Sequence, residues 1–355
     1  MSKGLKLWQV SAFYACYAFA KLIVNYPSMR LINNYGARMG LIVGLSATAL
    51  FMILLTFFVE TGAIWLVLGM AITLAIQNSC TWNSEHVHIS RVMDVNRKSR
   101  DLAVIESMLR TVAIFTPMIG GFIVAYFGQT WLTAIASILV MTAIIPIWRL
   151  DKLGGGHIKI DNLSYNFKHA PVRDLLANFG YNGHAMVGVL VWPIYLAVFV
   201  PSFQDIGVIT TVASLIAVIL LLVAGKRGDS GKSYRVLVEG TAGSSAVHII
   251  RILASTNPIV VTIISALYDV ALTYQQNPWT SIYYAHSKKG GINYIMSMEL
   301  VGDISYVIVW TVLGLTAYFA GETAFFTAAF SFAAVIAWLC LLMRKEQTVT
   351  PVASA

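Results

Sequence analysis

Long apolar segments alternate with short polar stretches along almost the whole chain. A membrane-spanning helix needs about 20 mostly apolar residues, and by that rule the sequence predicts eleven helices. We place them at 7–26, 39–58, 62–81, 102–127, 130–148, 176–200, 206–225, 236–254, 258–274, 294–319 and 323–343. The pattern predicts an all-α polytopic membrane protein, with five helices before the longest polar stretch and six after it.

Clusters of lysine and arginine lie in every second gap between these segments. The basic gaps hold Arg30/Arg38, Arg91/Arg97/Lys98/Arg100, Arg149/Lys152/Lys159/Lys168/Arg173, Lys226/Arg227/Lys232/Arg235, Lys288/Lys289 and Arg344/Lys345. The other gaps contain no Lys or Arg; they hold Glu60, Gln129, Asp205, Asn257 and Glu322. Cytoplasmic loops carry the excess of Lys and Arg. The sequence therefore predicts a multi-pass protein of the cell (inner) membrane, with the basic gaps and the C-terminus in the cytoplasm.

The composition agrees with lipid as the solvent around the fold. Hydrophobic residues make up 58% of the chain and charged residues 11%, whereas soluble domains carry about 25% charged residues. The net charge of +8 lies in short loops, where anionic headgroups attract it, so we expect contacts with membrane lipids and none with nucleic acid. The three cysteines lie in apolar stretches and no residues have metal-ligand spacing, so we expect neither a metal nor a cofactor.

The longest polar stretch divides the chain into two bundles. Residues 151–173 include a triple glycine and Pro171 and are typical of a linker. They separate an N-terminal bundle at 1–150 from a C-terminal bundle at 174–345, which is followed by a cytoplasmic tail at 346–355. Matched features recur in both bundles with the same polarity, such as Glu106 and Glu299 about 20 residues before similar aromatic–glycine turns. A parallel repeat of this kind is typical of transporters.

The two bundles have unequal numbers of predicted helices. Lys3 and Lys6 precede the first helix on the predicted outer side, against the usual charge bias. Both features predict a chain that lacks its first helix. The alternative is a genuine eleven-helix protein with its N-terminus outside.

Two loops resemble the conserved loop motif of the major facilitator superfamily. Residues 225–232, GKRGDSGK, resemble the family pattern G-x-x-x-D-R-x-G-R/K, with Gly225 at its start, Asp229 as its acid and Gly231 as its turn glycine. Residues 30–38 occupy the equivalent loop of the first half, where Gly36 and Arg38 match the pattern. The resemblance implies that these five residues form a cytoplasmic gate.

A third motif resembles the fifth helix of the same family. Residues 116–121, TPMIGG, are similar to the pattern G-P-x-x-G-G, with Pro117, Gly120 and Gly121 in register. The resemblance implies two six-helix bundles that rock about a central site open to one side at a time. The motif is found often in exporters, so efflux is favoured over uptake. The family's arginine in its fourth helix is replaced here by a segment that carries Gln77 and Asn78.

Ionisable side chains inside a membrane helix are costly and mark functional sites. Asp269 lies roughly 17 Å from the outer end at Pro258, at 1.5 Å per residue, which is close to the midplane. We therefore place it first as a proton or substrate residue, with Tyr268 as a hydrogen-bond donor. The alternative is a buried acid that pairs with Arg251 or His248.

Two further pairs lie four residues apart and share a helix face. Glu299 and Asp303 would repel each other, so protonation of one of them could couple to transport. The alternative is that Glu299 lies in the interfacial layer and pairs with a basic residue. Glu106 and Arg110 can form an ion pair, for which a structural or gating role is favoured over contact with substrate.

Other polar and aromatic side chains are candidates to line a cavity. They are Tyr268, Asn182, Trp192 and Asn78, although amides in membrane helices more often bond between helices. We expect Lys21 to extend to the cytoplasmic interface and His86 to be solvated in a loop.

The leading hypothesis is a secondary active transporter that moves a small solute by alternating access. We expect a monomer coupled to protons or to another ion. One alternative is a nontransporting scaffold or sensor. The other is a membrane-embedded lipid-modifying enzyme, but the chain lacks a phosphate-binding glycine loop or a paired-acid metal motif, so we predict that it is not an enzyme.

Overall fold

The computed structural model describes residues 5–92, 98–149, 162–165, 167, 170–224, 233–253 and 257–343. Every regular element in these ranges is a helix, which confirms the predicted all-α class. The helices are α1 (Leu7–Tyr35), α2 (Ala37–Thr61), α3 (Trp65–Val92), α4 (Lys98–Phe127), α5 (Gln129–Arg149), α6 (Val172–Met186), α7 (Trp192–Phe199), α8 (Phe203–Ala224), α9 (Ser233–Ile252) and α10 (Pro258–Ile336). A π-helical turn, Val187–Val191, joins α6 to α7, and a 3-10 turn, Ala337–Leu342, follows α10. Six helical stretches of this described part are long and apolar enough to cross a membrane.

The helix α10 consists of three arms separated by glycines. Gly291 and Gly321 have φ angles of 65° and 85° and depart from helical geometry. Glycine reaches this region of φ at little cost because it has no Cβ. We call the resulting segments arm 1 (258–290), arm 2 (292–320) and arm 3 (322–336). All three arms contribute to one apolar core, which includes Tyr268, Trp310 and Phe330.

We call α1–α5, before the polar stretch at 151–173, the first half, and α6–α10, after it, the second half. In the first half, α2 packs on α3 and α5, and α1 packs on α3. In the second half, α10 packs on α6, α8 and α9. Two main contacts join the halves: α1 lies along α10, and α4 lies along α8.

The contact between α4 and α8 depends on glycines. A Cβ atom at Gly121 would lie 2.5 Å from the backbone oxygen of Phe203, and one at Gly207 would lie 2.5 Å from that of Pro117. Real Cβ atoms do not approach so closely, so both positions require glycine at this backbone separation. The motif at 116–121 therefore lies where the two halves touch.

The halves also meet at the end of the molecule where the linker lies, which we call the linker end. An apolar cluster there contains Met29, Ile32, Val87, Ile292, Ile295 and Met296. Leu163 and Tyr165 of the linker pack against this cluster. The backbone N–H of Ser164 donates to Oδ1 of Asn293 at 3.2 Å, which holds the linker on arm 2. The two halves are therefore in contact at the linker end.

Candidate functional site

Five polar side chains meet where α1 and α3 touch arm 2. They are Lys21, Asn25, His86, Glu299 and Asp303, which we call the lysine–acid cluster. The Nζ atom of Lys21 lies 2.7 Å from Oδ1 of Asp303 and 4.0 Å from Oε2 of Glu299. Asn25 donates from Nδ2 to Oδ2 of Asp303 at 3.2 Å. His86 approaches Oε1 of Glu299 through Nε2 at 3.4 Å.

The spacing of these residues explains why they meet. Lys21 and Asn25 are four residues apart on α1, and Glu299 and Asp303 are four apart on arm 2, so each pair lies on one helix face. The two faces come together because α1 lies along α10. The side chain of Asp303 is 1% exposed and that of Lys21 is 7% exposed. Buried charges persist only when they are paired. The cluster is therefore a buried ion-pair contact between the two halves.

The prediction that Lys21 reaches the lipid interface is wrong. Its ammonium group is buried because Asp303 supplies a partner at the same depth. Lys21 and Asp303 lie within the predicted apolar segments 7–26 and 294–319, and the presence of opposite charges in two such segments is the sequence signal that was missed.

His86 does not lie in a solvated loop as predicted. The helix α3 continues to Val92 rather than ending at 81, so His86 faces the second half. Its Nδ1 atom lies 2.8 Å from the hydroxyl of Tyr284 on arm 1, and its ring stacks on Trp82 with centroids 5.7 Å apart. His86 therefore connects α3 to two arms of α10.

A second cluster lies inside the second half. It contains His184, Trp192, His248, Arg251 and Tyr268, which we call the arginine–aromatic cluster. The guanidinium carbon of Arg251 lies 4.3 Å from the ring centroid of Trp192 and 4.1 Å from that of Tyr268. Arg251 is only 2% exposed. Its charge is thus stabilised by two aromatic faces.

The backbone between α6 and α7 is adapted to this cluster. A side chain at Gly188 would overlap the hydroxyl of Tyr268, so glycine allows that hydroxyl to reach the π-helical turn. Such turns often occur at functional sites. Pro193 has no backbone N–H to donate, and the regular α-helix resumes beside it. The indole of Trp192 donates from Nε1 to Oγ of Ser265 at 2.9 Å, which ties α7 to arm 1.

Asp269 follows Tyr268 on arm 1 and is half-buried. Its carboxylate is close enough to act electrostatically on Arg251. The structure therefore brings three of the predicted candidates, Asp269, Tyr268 and Trp192, to the same buried cation. Sequence reasoning named Arg251 only as a partner for Asp269 and missed the aromatic faces around it, because they come from separate helices.

The two remaining cavity candidates have different surroundings. Asn182 donates from Nδ2 to the backbone oxygen and to Oδ1 of Asn178, each at 3.0 Å. It also lies against Gly302, beside Asp303 in sequence, so it packs between α6 and arm 2. Asn78 is half-buried on α3 and makes no hydrogen bond to either cluster within the described ranges.

The predicted gate is only partly described. Gly36 has a φ angle of 86° and forms the turn between α1 and α2, and Arg38 is half-buried beside it. Gly225, Asp229 and Gly231, and the side chains of Glu106 and Arg110, lie outside the described residues.

Comparisons with known proteins agree with this architecture. A sequence model of the family described as Major Facilitator Superfamily matches residues 3–290. Among solved structures, the chain is similar to a crystal structure of the E. coli fucose:proton symporter FucP, with a TM-score of 0.61 and 16% sequence identity. That match covers 95% of this chain and 91% of the symporter, and at this identity it shows the fold alone. No curated protein sequence matches the chain.

Proposed function

Because the chain belongs to the Major Facilitator Superfamily, a family of secondary transporters and not of enzymes, we propose that it couples solute movement to protons at the lysine–acid cluster. It is a multi-pass membrane protein that carries a small solute. Alternating access then requires the two halves to separate at one end while they close at the other. The lysine–acid cluster is the buried polar contact that this motion would have to change.

The observation that carries the proposal is the position of Lys21 between two carboxylates of the other half. Separating the halves would leave Asp303 and Lys21 as unpaired buried charges, which is strongly unfavourable. Protonation of Asp303 or Glu299 removes one negative charge and lowers the cost of separation. A proton thereby shifts the population between the two conformations by its different affinity for each of them.

The proposed orientation follows from the basic gaps. With the linker end in the cytoplasm of the cell, the contact between the halves described above lies on the inner side. We propose that residues 1–150 and 174–345 move as the two bundles, with the linker at 151–173 between them. Gly36 and Arg38 in one loop, and Gly225, Asp229 and Gly231 in the other, would form the inner gate.

Efflux is the proposed direction. It rests on the motif of Pro117, Gly120 and Gly121, which resembles that of exporters in the family. In this chain the motif contacts α8 through Gly121, so it lies at the second contact between the halves. We propose that the monomer is the transporting unit and that membrane lipids surround it.

The test uses the purified protein in liposomes with a panel of labelled sugars, amino acids, monocarboxylates and organic cations. A pH gradient should drive accumulation of at least one of these solutes by the wild type. Asp303→Asn should lose gradient-driven accumulation but keep exchange of solute across the membrane, because the amide cannot release a proton. Glu239→Gln is a matched control, since Glu239 is an exposed acid that pairs with Arg235 on its own helix.

Two results would contradict the proposal. Accumulation by Asp303→Asn at the wild-type level would place the coupling elsewhere. No flux of any solute by the wild type would favour the nontransporting scaffold. If the coupling residue is instead Asp269, the residue ranked first from sequence, Asp269→Asn would abolish proton-coupled flux in a folded protein.

A further inference from the structure

Several hydrogen-bond donors of the arginine–aromatic cluster are buried without an acceptor among the described residues. The Nε and Nη1 atoms of Arg251 are buried and have no hydrogen-bond partner within the described part of the chain. The same is true there of both ring nitrogens of His184, both of His248 and the hydroxyl of Tyr268. These four residues are each at most 3% exposed. Buried polar groups without partners are rare and point to a bound water or ligand.

The four side chains form one continuous row. The ring centroids of His184 and His248 are 6.0 Å apart, and those of His248 and Tyr268 are 5.1 Å apart. Arg251 lies over the ring of Tyr268. The rings of Trp192 and Tyr268 contact the guanidinium group, and its Nε and Nη1 donors are left for a ligand.

The chemistry of this row selects an anion. Arginine remains charged and has only donors, a neutral imidazole offers one N–H, and a phenol hydroxyl can donate as well. A fixed positive charge surrounded by neutral donors binds a negative group through charge-assisted hydrogen bonds. The apolar core around the row strengthens that attraction because it excludes water.

Three acids of the second half have partners outside the arginine–aromatic cluster. Asp174 accepts from His286 and Tyr294, with Oδ2 lying 2.7 Å from Nδ1 of His286. Glu299 and Asp303 belong to the lysine–acid cluster. Asp269 is the acid whose charge acts on Arg251, so an incoming anion would compete with that carboxylate.

We propose that the arginine–aromatic cluster is a binding site for a small monovalent anion, held by Arg251 with donors from His248 and Tyr268. The anion is either the carboxylate of the transported solute or an inorganic halide. In the first case the inference rests on the proposed function and names its class of solute. The π-helical turn beside Tyr268 is the part of the backbone that can adjust when the anion enters.

The experiment measures equilibrium binding of labelled acetate to the purified full-length protein. Arg251→Gln should weaken binding by about tenfold or more, because it removes the charged donor. Asp269→Asn should tighten binding severalfold, because it removes the competing charge. Arg235→Gln is the matched control: Arg235 lies on the same helix, but its side chain is 72% exposed, and binding should stay at the wild-type level.

Competition distinguishes the two sources of the anion. Displacement of acetate by lactate but not by chloride assigns a carboxylate site, and displacement by chloride assigns a halide site. If Arg251→Gln does not fold, Tyr268→Phe keeps the aromatic face over Arg251 and removes one donor, and it should weaken binding severalfold.

The proposal is overturned if the wild type binds none of these anions, or if folded Arg251→Gln binds them like the wild type. An unchanged affinity in Asp269→Asn would also contradict the competition that the charges predict. These outcomes are independent of the proton-coupling test. Asp303→Asn reports on coupled flux, whereas Arg251→Gln and Asp269→Asn report here on binding at equilibrium.

Discussion

Within the residues that the structure describes, two basic side chains, Lys21 and Arg251, are buried, and they are stabilised in different ways. Lys21 is held by carboxylates of the other half, with Asp303 at 2.7 Å. The guanidinium carbon of Arg251 lies over the rings of Trp192 and Tyr268 within one half. The first arrangement neutralises the charge and joins two bodies. The second disperses the charge within one body and leaves donors available.

The difference indicates what each cluster can do. A contact between the halves must change when the halves move, so the lysine–acid cluster is suited to controlling conformation. A cluster inside one half moves with it as a unit, so the arginine–aromatic cluster is suited to holding a ligand. The comparison predicts that removing Lys21 destabilises the protein more than removing Arg251.

The largest loss of stability should follow Lys21→Met. The substitution leaves Asp303 buried without its partner, and breaking a buried pair in this way costs about 3–5 kcal/mol. We expect a fall of about 3 kcal/mol in the free energy of unfolding, measured by titration with SDS. The double variant Lys21→Met/Asp303→Leu should recover most of this loss, because it removes both charges. If the double variant is as unstable as Lys21→Met, the ion pair is not the source of the effect.

The architecture could be predicted from the sequence because it depends on local signals. Apolar segments of sufficient length and the alternation of Lys and Arg specify helices and their order without reference to any distant residue. The turn at Gly36 and the break at Gly321 were likewise visible as glycines between apolar segments. The all-α class and the family resemblance followed from these signals.

The sites could be predicted only in part because they depend on distant residues. Asp303 and Glu299 were identified as costly charges, but their partner Lys21 is 278 positions away from Glu299 in sequence (299 − 21). Without knowledge that α1 lies along arm 2, Lys21 reads as an interfacial residue. His86 was missed for a local reason. The hydropathy of α3 falls before the helix ends at Val92, so the sequence pattern placed His86 in a loop.

The second largest loss of stability should follow a change at the contact between α4 and α8. Gly121→Ala places a Cβ atom 2.5 Å from the backbone oxygen of Phe203, so α4 and α8 must move apart. Overpacking of this kind costs about 1–3 kcal/mol. Gly120→Ala is a matched control on the same helix, because the nearest atom to its Cβ would be a side-chain carbon of Leu132 at 3.9 Å.

Unfolding in SDS should distinguish these two glycine variants clearly. We expect a loss of about 2 kcal/mol for Gly121→Ala and almost none for Gly120→Ala. Equal losses would show that helix propensity or lipid contact determines the effect, rather than the approach of α4 to α8. In that case the contact at Gly121 would not contribute to holding the two halves together, and the lysine–acid cluster would do so without it.

A smaller effect should follow Arg251→Met. The substitution removes two cation–π contacts, but it also removes buried donors without partners, which are themselves costly. Asp269 is only half-buried, so loss of Arg251 leaves a less deeply buried acid than Asp303. We expect a loss of about 1 kcal/mol in the free energy of unfolding. A loss as large as that of Lys21→Met would show that Arg251 is a structural ion-pair partner and would remove the contrast between the clusters.

The smallest effect should follow Trp192→Phe, which changes one of the two rings that contact the guanidinium group of Arg251. Phenylalanine keeps an aromatic face over Arg251 but loses the donor that reaches Ser265. Ser265 retains its own hydrogen bond to the backbone oxygen of Val261 at 2.8 Å, so no serine donor is left unsatisfied. Interhelical hydrogen bonds in membranes contribute about 0.6 kcal/mol on average, and we expect a loss near that value in SDS unfolding. Because the edges of the guanidinium group are untouched, acetate binding should be unchanged in this variant. Loss of binding without loss of stability would mean that the anion contacts the indole N–H. Trp192 would then be a donor to the ligand as well as one of the two rings that contact Arg251.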